Sequence, residues 1–423
     1  MAGDCILLAD GTYTMGMVHA TGTAEHPIVI RAANRGKAVV STGSLDLHAS
    51  SYVVVEGLTW NSGGNIQITD SDHCRISRCR VAPQDLTDVD WIDVEGKSDY
   101  NRIDHNDLGP KRHLSNMVML GGVQAPAQVV QHTRIDHNYF HDITRGGGNG
   151  WETIRAGLSW LALSSGYTII EYNLFQKCDG DPETISVKSS DVIVRYNTFR
   201  STNGQITLRH GNRNLVYGNF MLGEGAASDG IRVCGQDHKI FNNYLQGLTN
   251  GTGILLEGGD SDAMNQAGTA HYRVYRTIVA YNTLVEAKGG INVGDGHQYA
   301  PVDCVIADNI VQGSSGSMIT ESRGVNTSYV GNIVNPLAGA SRGIMKPPEQ
   351  IKVLDPTLQK LGTIFKLSDG SPAIDAGTGD FPFVIDDMDG QARSKPDVGA
   401  DEALPGTITR HPLELTDVGP DAP

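Results

Sequence analysis

The sequence predicts an all-β chain wound as a parallel β-helix, and three observations predict it. A short motif centred on Asn recurs along most of the chain, with its closest copies one coil's length apart. Between copies lie short runs rich in Val, Ile and Thr, bounded by Gly, Asn and Asp. Glycine supplies 51 of 423 residues, about 12% against the roughly 7% of ordinary usage.

The motif reads Asp104-His105-Asn106, His137-Asn138-Tyr139-Phe140, Tyr172-Asn173-Leu174-Phe175 and Tyr196-Asn197-Thr198-Phe199. It continues as Gly218-Asn219-Phe220, Asn242-Asn243-Tyr244-Leu245, Tyr281-Asn282-Thr283-Leu284, Asp308-Asn309-Ile310 and Gly331-Asn332-Ile333. The shortest steps are 173→197 (24), 197→219 (22), 219→243 (24) and 309→332 (23). Longer steps, 106→138 (32), 138→173 (35) and 243→282 (39), read as the same unit carrying loops. Cys79 holds the Asn position 27 residues before Asn106. A leucine-rich solenoid would need its Leu-x-x-Leu-x-Leu signature, and a propeller a period near 40. A period in the low twenties suits coils stacked at about 4.8 Å, with Asn side chains bonding along the stack.

The repeat fades near residue 350. The expected organisation is therefore a β-helix over 1–350, then a cap and tail over 351–423 packed on the same domain. Ser371-Pro372-Ala373-Ile374-Asp375 and Asp387-Met388-Asp389-Gly390 belong to that cap. The acidic run could hold calcium but reads better as a structural turn. At the other end the first coil needs a cover, so a capping element is expected before it.

Composition limits function. With 33 Lys+Arg against 48 Asp+Glu the formal charge is −15, which at first sight argues against nucleic acid, a membrane surface or any polyanionic ligand as partner. No stretch of roughly 18 apolar residues exists to span a bilayer. Six scattered cysteines make neither a disulfide scaffold nor a zinc site. Met1-Ala-Gly-Asp runs straight into Cys5-Ile6-Leu7-Leu8 with no signal peptide, which implies a cytoplasmic protein or a trimmed leader. A monomer or weak oligomer is expected.

Four coils align on their strands: Ile185-Ser186-Val187-Lys188, Ile206-Thr207-Leu208-Arg209, Ile231-Arg232-Val233-Cys234 and Ile254-Leu255-Leu256-Glu257. Alternation across a strand sends the Ile, Val and Leu pairs inward. Lys188, Arg209, Arg232 and Glu257 then face outward, and Arg155 joins them one coil earlier. A cluster of cations on one sheet of an acidic protein points to an anionic ligand more than to an ordinary solvated face. Just upstream, Asp179-Gly180-Asp181-Pro182-Glu183 and Asn149, in Gly146-Gly147-Gly148-Asn149-Gly150, offer hard oxygen donors of the kind Ca²⁺ takes. Two other readings are an acidic turn and a pair of hydrolytic carboxylates. The glycine loop is no phosphate cradle, because no Gly-Lys-Ser/Thr follows it.

A cation beside Lys and Arg suits elimination across the C4–O bond of a uronic acid. The metal would neutralise the carboxylate as C5 loses its proton. A lysine can take that proton only as the neutral amine, a form that neighbouring positive charge favours. Arg209 would stabilise or protonate the leaving oxygen.

At these residues the sequence resembles the polysaccharide lyase family 6 enzymes, the alginate lyases and chondroitinase B. The resemblance is carried by Asn101-Arg102-Ile103-Asp104-His105-Asn106, Asn149-Gly150-Trp151-Glu152-Thr153-Ile154-Arg155 and Cys178-Asp179-Gly180 through Lys188-Ser189. Leu208-Arg209-His210-Gly211-Asn212 and Gly230-Ile231-Arg232-Val233 complete it. It implies a right-handed, single-stranded parallel β-helix with Lys188 as Brønsted base and Arg209 as acid. It implies Ca²⁺ on Asn149, Asp181 and Glu183, with Arg155, His210 and Arg232 gripping substrate. The family usually has Glu-x-Glu at the metal, whereas this chain has Asp181-Pro182-Glu183, and the shorter side chain puts the metal in doubt. By strand parity alone His210 is a core or turn residue, while His105 and His137, within the repeat, are structural. The resemblance also implies export, to the outside or the periplasm.

The expected function is an alginate lyase that leaves 4,5-unsaturated oligosaccharides, with an anionic polysaccharide as its partner. A dermatan sulfate lyase of the chondroitinase B kind is the alternative. A polyuronide hydrolase using Asp179, Asp181 and Glu183, and a β-helix that binds glycans without catalysis, are the rivals from other classes.

Overall fold

Each coil is three short strands joined by tight corners, and every solenoid strand pairs in parallel with the strand one coil on. In the computed structural model, which describes residues 1–84, 86, 88–144, 146, 149–262 and 268–423, three parallel sheets run along the chain. The one helical element among the described residues is a 3-10 turn, Ser159–Leu161. The predicted parallel β-helix is what forms. The chain divides into two compact units, Met1–Ile193 with Leu413–Pro423, and Val194–Pro412.

In the first unit, Val55, Ile76, Ile103, Ile135 and Ile170 lie in register on successive coils, all fully buried. In the second, Val216, Ile240, Val279 and Ile306 do the same. Each such side chain contributes roughly 1.5–3 kcal/mol by leaving water. The eight inward residues expected on the third sheet, from Ile185 and Val187 to Ile254 and Leu256, are all buried.

The Asn motif forms a buried ladder beside this core. In the first unit the backbone N–H of Cys79 donates to Asn106 Oδ1 (2.9 Å), so Cys79 starts the ladder. Asn106 donates from both its backbone N and its Nδ2 to Asn138 Oδ1, at 2.9 Å each. Asn138 does the same to Asn173 at 3.0 and 2.9 Å. In the second unit Asn197, Asn219, Asn243, Asn282, Asn309 and Asn332 repeat the pattern, with amide–amide distances of 2.9–3.0 Å.

The residue before each ladder position is left-handed, with φ of 54° at His105 and His137, 53° at Tyr172 and 56° at Tyr196. Side chains other than Gly meet strain of order 1–3 kcal/mol there. Gly218 and Gly331 occupy two of these corners at φ 63° and 61°. Elsewhere ring stacking accompanies the strain: His105, His137 and Tyr172 stack at 4.8 and 5.2 Å. His105 and His137 also sit 2.8 Å from Asp104 and Asp136. They brace these corners, as their place in the repeat implied.

Past the last solenoid strand, Ile351–Val353, an antiparallel hairpin pairs Leu358–Leu361 with Ile364–Leu367. Ile364, Met388 and Ala400 pack on Phe220, Leu222 and Tyr244 in the second unit. Asp387 is a turn residue: its Oδ1 accepts the N–H of Asp389 and Gln391, and its Oδ2 that of Glu402. The tail returns to the first unit, where Leu413 and Val418 pack on Leu174. No disulfide joins the cysteines; Cys74 and Cys79 are thiols. Among the described residues no helix is long and apolar enough to cross a membrane.

Asn243→Ala tests the ladder. It strips the acceptor from two donors of Asn219 and a donor from the Val216 carbonyl, while the Phe241 carbonyl keeps the Gly218 N–H. At about 1 kcal/mol per buried orphan, urea unfolding should show a loss of roughly 3 kcal/mol. A loss under about 1 kcal/mol would mean the amides contribute little beyond filling space.

Candidate active site

In the first unit the stretch from Gly150 to Arg155 turns from a loop into the strand Ile154–Ala156. Trp151 is mostly buried, 5.1 Å from the ammonium of Lys111. Lys111 is itself fully buried, donates to the His113 carbonyl, and is pushed down to about 8 by that burial. Its neighbour Glu152 has no exposed surface. Parallel pairing sets Ile154 against Ile185, Arg155 against Ser186 and Ala156 against Val187. Arg155 and Lys188 therefore project outward from adjacent coils, two residues out of step.

Glu152 binds both. Its Oε1 accepts from Arg155 Nε at 3.2 Å and Lys188 Nζ at 3.2 Å, and its Oε2 from Arg155 Nη2 at 2.9 Å. Burial drives the Glu152 carboxyl up, but Arg155 and Lys188 outweigh it and hold the group below the ordinary range. One carboxylate thus fixes two cations in a water-poor pocket. The cation cluster expected from the sequence is less positive than the count of Arg and Lys implied.

Asp181 is buried, and each of its oxygens accepts a backbone N–H: Oδ1 from Glu183 and Oδ2 from Gly150, both at 3.1 Å. Burial, then the Glu152 charge, pushes its carboxyl up. Glu183 accepts from the Ser186 hydroxyl. Asn149 is exposed on the loop before Gly150; Gly147 and Gly148 of the glycine run lie outside the described residues. The three donors are oxygens, as Ca²⁺ requires. Asp181, however, already braces the loop with one lone pair on each oxygen, and the three residues offer at most five of the six to eight oxygens that Ca²⁺ takes, water supplying the rest. The residues do not form a ready cradle.

On the same sheet Asp93 lies in register with Met119, and Met119 with Arg155, two coils away. Burial, then Glu95 and Asp90, pushes the Asp93 carboxyl up to about 8. It is therefore mostly uncharged at neutral pH.

In the second unit Thr207 pairs with Arg232 and Leu208 with Val233, so Arg209 stands level with Cys234. Arg209 donates to the carbonyls of Ala270 (3.0 Å) and Thr269 (2.7 Å), and its Nη1 lies 2.9 Å from His210 Nε2. His210 is buried, as parity implied, with Nε2 3.0 Å from the Ala270 carbonyl. Arg232 grips Glu257 with both Nε (2.9 Å) and Nη2 (3.0 Å). His271, next to Ala270, stacks on His297 at 4.2 Å and turns Nδ1 toward Asp260 at 3.1 Å. Burial, with Arg209 beyond, lowers His271 below its ordinary range, against the pull of Asp260.

Among the described residues three clusters have metal-like spacing: His105/Asp136/His137, Glu257/His271/His297 and Asp387/Asp389/Asp401. Each already contains a side-chain cation, because Arg102 pairs with Asp136, Arg232 with Glu257 and Lys366 with Asp389. Sequence reasoning missed Glu152 and the Asp260–His271 pair as site residues. Glu152 had a signal in its i, i+3 spacing to Arg155; the other pair, 11 residues apart, had none.

A family model described as Chondroitinase B matches residues 1–336. The chain belongs to this family, polysaccharide lyase family 6. Among solved structures it is similar to the alginate lyase AlyGC, with a TM-score of 0.78 at 29% identity, over 87% of this chain and 53% of that one. It therefore spans about half the length of AlyGC. A mannuronic acid specific family 6 lyase from human gut microbiota matches with a TM-score of 0.69 at 26% identity, over 82% and 86% of the two chains. An alginate lyase complexed with a trisaccharide shares the fold at 20% identity and a TM-score of 0.72. No curated protein matches the chain by sequence.

For this family 6 chain, Glu152→Gln is expected to lose roughly 3 kcal/mol of unfolding free energy at pH 7, since two part-buried cations lose their anion. The native carboxyl sits below its unfolded value of about 4.3. Its contribution is full above that value and disappears as pH falls through the lower, folded one. The difference between native and variant should shrink between pH 5 and pH 3, read by urea unfolding across that range. A difference that stays constant with pH would refute the ion pairing.

Proposed function

We propose that this chain is an alginate lyase that cleaves by β-elimination and leaves a 4,5-unsaturated uronate at the new non-reducing end. The observation that carries it is the Arg155–Glu152–Lys188 arrangement, with Nζ and guanidinium fixed about one buried carboxylate. Arg155 meets the substrate carboxylate and spreads the charge that builds as C5 loses its proton. Lys188 takes that proton after its ammonium, paired with Glu152, has released one to water. The C5–H electrons become the C4–C5 double bond, and the C4–O bond breaks toward the leaving sugar. Arg209 hydrogen-bonds the leaving oxygen, which takes its proton from water; its guanidinium holds its own protons too tightly to be a ready donor. Arg232 and His210 serve substrate binding, Arg232 directly and His210 by positioning Arg209.

Ca²⁺ on Asn149, Asp181 and Glu183 would neutralise the uronate carboxylate. Asp181 already accepts two backbone N–H groups, so Arg155 is given that task and no step is routed through a metal. Action outside the cytoplasm fits a polymeric substrate.

The test follows ultraviolet absorbance from the conjugated double bond on alginate and on dermatan sulfate, with and without a chelator. Dermatan sulfate is included because the matching family model is described as Chondroitinase B. The expected result is a rise on alginate that Lys188→Ala lowers by at least about 10³-fold, within the span of acid–base catalysis. Chelation should cost less than about tenfold, a small fraction of what metal catalysis supplies. No rise on either polymer would overturn the lyase reading. A rise on dermatan sulfate alone would reassign the substrate, and full activity in Lys188→Ala would reassign the base.

A further inference from the structure

A second set of cations in the second unit stands on a different sheet from Arg209 and Arg232. Leu215 pairs with Lys239 and Tyr217 with Phe241 on the strands Leu215–Tyr217 and Lys239–Phe241, which are not in the sheet of Gln205–His210 and Ile231–Val233. With Arg195 and the segment from Phe383 to Asp386, these residues enclose a recess of about 210 Å³.

Tyr217 stacks on Phe241 at 4.6 Å, so this pair's inner faces are spent. What the recess offers a ligand is Leu215, the exposed Ile385 and two positive charges. Arg195 Nη1 donates to the Tyr217 hydroxyl at 2.8 Å, which orients the guanidinium along the wall. Lys239 is half-buried with its ammonium 4.2 Å over the Phe383 ring. Among the described residues no carboxylate lies within ion-pair distance of it. The one carboxylate lining the recess, Asp386, is paired with Arg410. In a chain of net charge −15, this is a part-desolvated ammonium without an anion, in a recess built to hold something.

We infer that the recess binds one carboxylate-bearing sugar residue, its carboxylate on Lys239 and its ring against Leu215 and Ile385. The volume is below the roughly 300 Å³ where sites for larger ligands begin, which suits a single pyranose ring. The choice of a uronate rests on the polyuronide reading above. A polymer held here raises the effective concentration of its other residues at the protein, without any new contact to the reacting bond.

The experiment uses the full chain with Lys188→Ala, so that ligand is not consumed, titrated calorimetrically with dimannuronate and with neutral maltose. Two binding events are expected for dimannuronate and none for maltose. Adding Lys239→Gln should remove one event, and Lys239→Arg should keep it. In the chain with Lys188 intact, Lys239→Gln should leave turnover of a tetrauronide within about twofold and raise KM on the polymer at least about threefold, the loss of a tether. An unchanged melting temperature confirms that the variant is folded. Two events surviving in Lys239→Gln, or maltose binding as well as dimannuronate, would overturn the site. Loss of one event in a chain that cleaves no polyuronide would uphold the recess while ending the lyase reading. An active lyase with a single event in both forms would do the reverse.

Discussion

Everything in this fold depends on giving each corner's backbone N–H a buried acceptor. A coil of three short strands must turn sharply, and the turn leaves an N–H facing the interior, where an unmade bond costs about 1–3 kcal/mol. From Asn106 to Asn332 one Asn per coil answers this twice at one corner, since its Oδ1 accepts both the backbone N–H and the Nδ2 of the preceding coil's Asn. Its own Nδ2 also reaches carbonyls, as Asn243 does to Val216 and Phe241. Ser serves with one donor fewer: Ser71 Oγ accepts the Ser50 N–H and donates to the Leu47 carbonyl. The ladder thus sets the register of neighbouring coils, and it supports left-handed residues such as Tyr172 and Tyr281 that would otherwise be strained.

Once register is fixed, the chemistry of the outward face follows from counting residues. A rung is about 4.8 Å high, so a side chain reaches one coil up or down and rarely two. Glu152 can hold Lys188 on the next coil and Arg155 on its own strand; Glu257 likewise reaches back to Arg232. Both carboxylates are almost wholly buried, which makes the pairs rigid and removes the freedom that a surface Lys or Arg normally keeps. Arg75, Arg102 and Arg134 use the same reach for scaffolding, pairing with Asp104, Asp136 and Glu171 one coil on. The same device therefore builds wall and site. What distinguishes the site is that a buried Glu serves two cations, one of them a lysine.

That distinction marks what the sequence could and could not reveal. The Asn period, the inward Ile and Val pairs and the outward placement of Lys188, Arg209 and Arg232 all depend on spacing within one chain, which is visible in a string of letters. Cys79 was legible as a ladder position for the same reason. Glu152 as the partner of Lys188 and Glu257 as the partner of Arg232 depend on the distance between coils. The loops separating coils vary in length, so no fixed offset betrays them. The stack Tyr52–His73–Tyr100–His132–Tyr167, with centroids 4.4–5.0 Å apart, has steps of 21, 27, 32 and 35 residues and was invisible for that reason. The His210 side chain was placed inward by parity and is buried; its contact with Arg209 comes from the loop carbonyl at Ala270 that both share.

Net charge deserves the same scrutiny. An excess of acid over base suggested that a polyanion would be repelled, yet a Debye length of about 8 Å in physiological salt confines each charge to its neighbourhood. Within such a radius Arg155 and Lys188 meet Glu152, with Asp90 and Asp181 also acting on Arg155, whereas Arg232 and Glu257 pair off. A polyanionic ligand then meets no uniform positive groove. It meets separate points of positive charge, each held by a bond that the ligand's own carboxylate must match or displace. Replacing Glu152 as the partner of Arg155 exchanges one carboxylate for another, so the desolvation of the cation is already met before the ligand arrives. On the proposed function, selectivity for a carboxylate follows from that exchange, because a neutral sugar that displaced Glu152 would leave Arg155 unmatched.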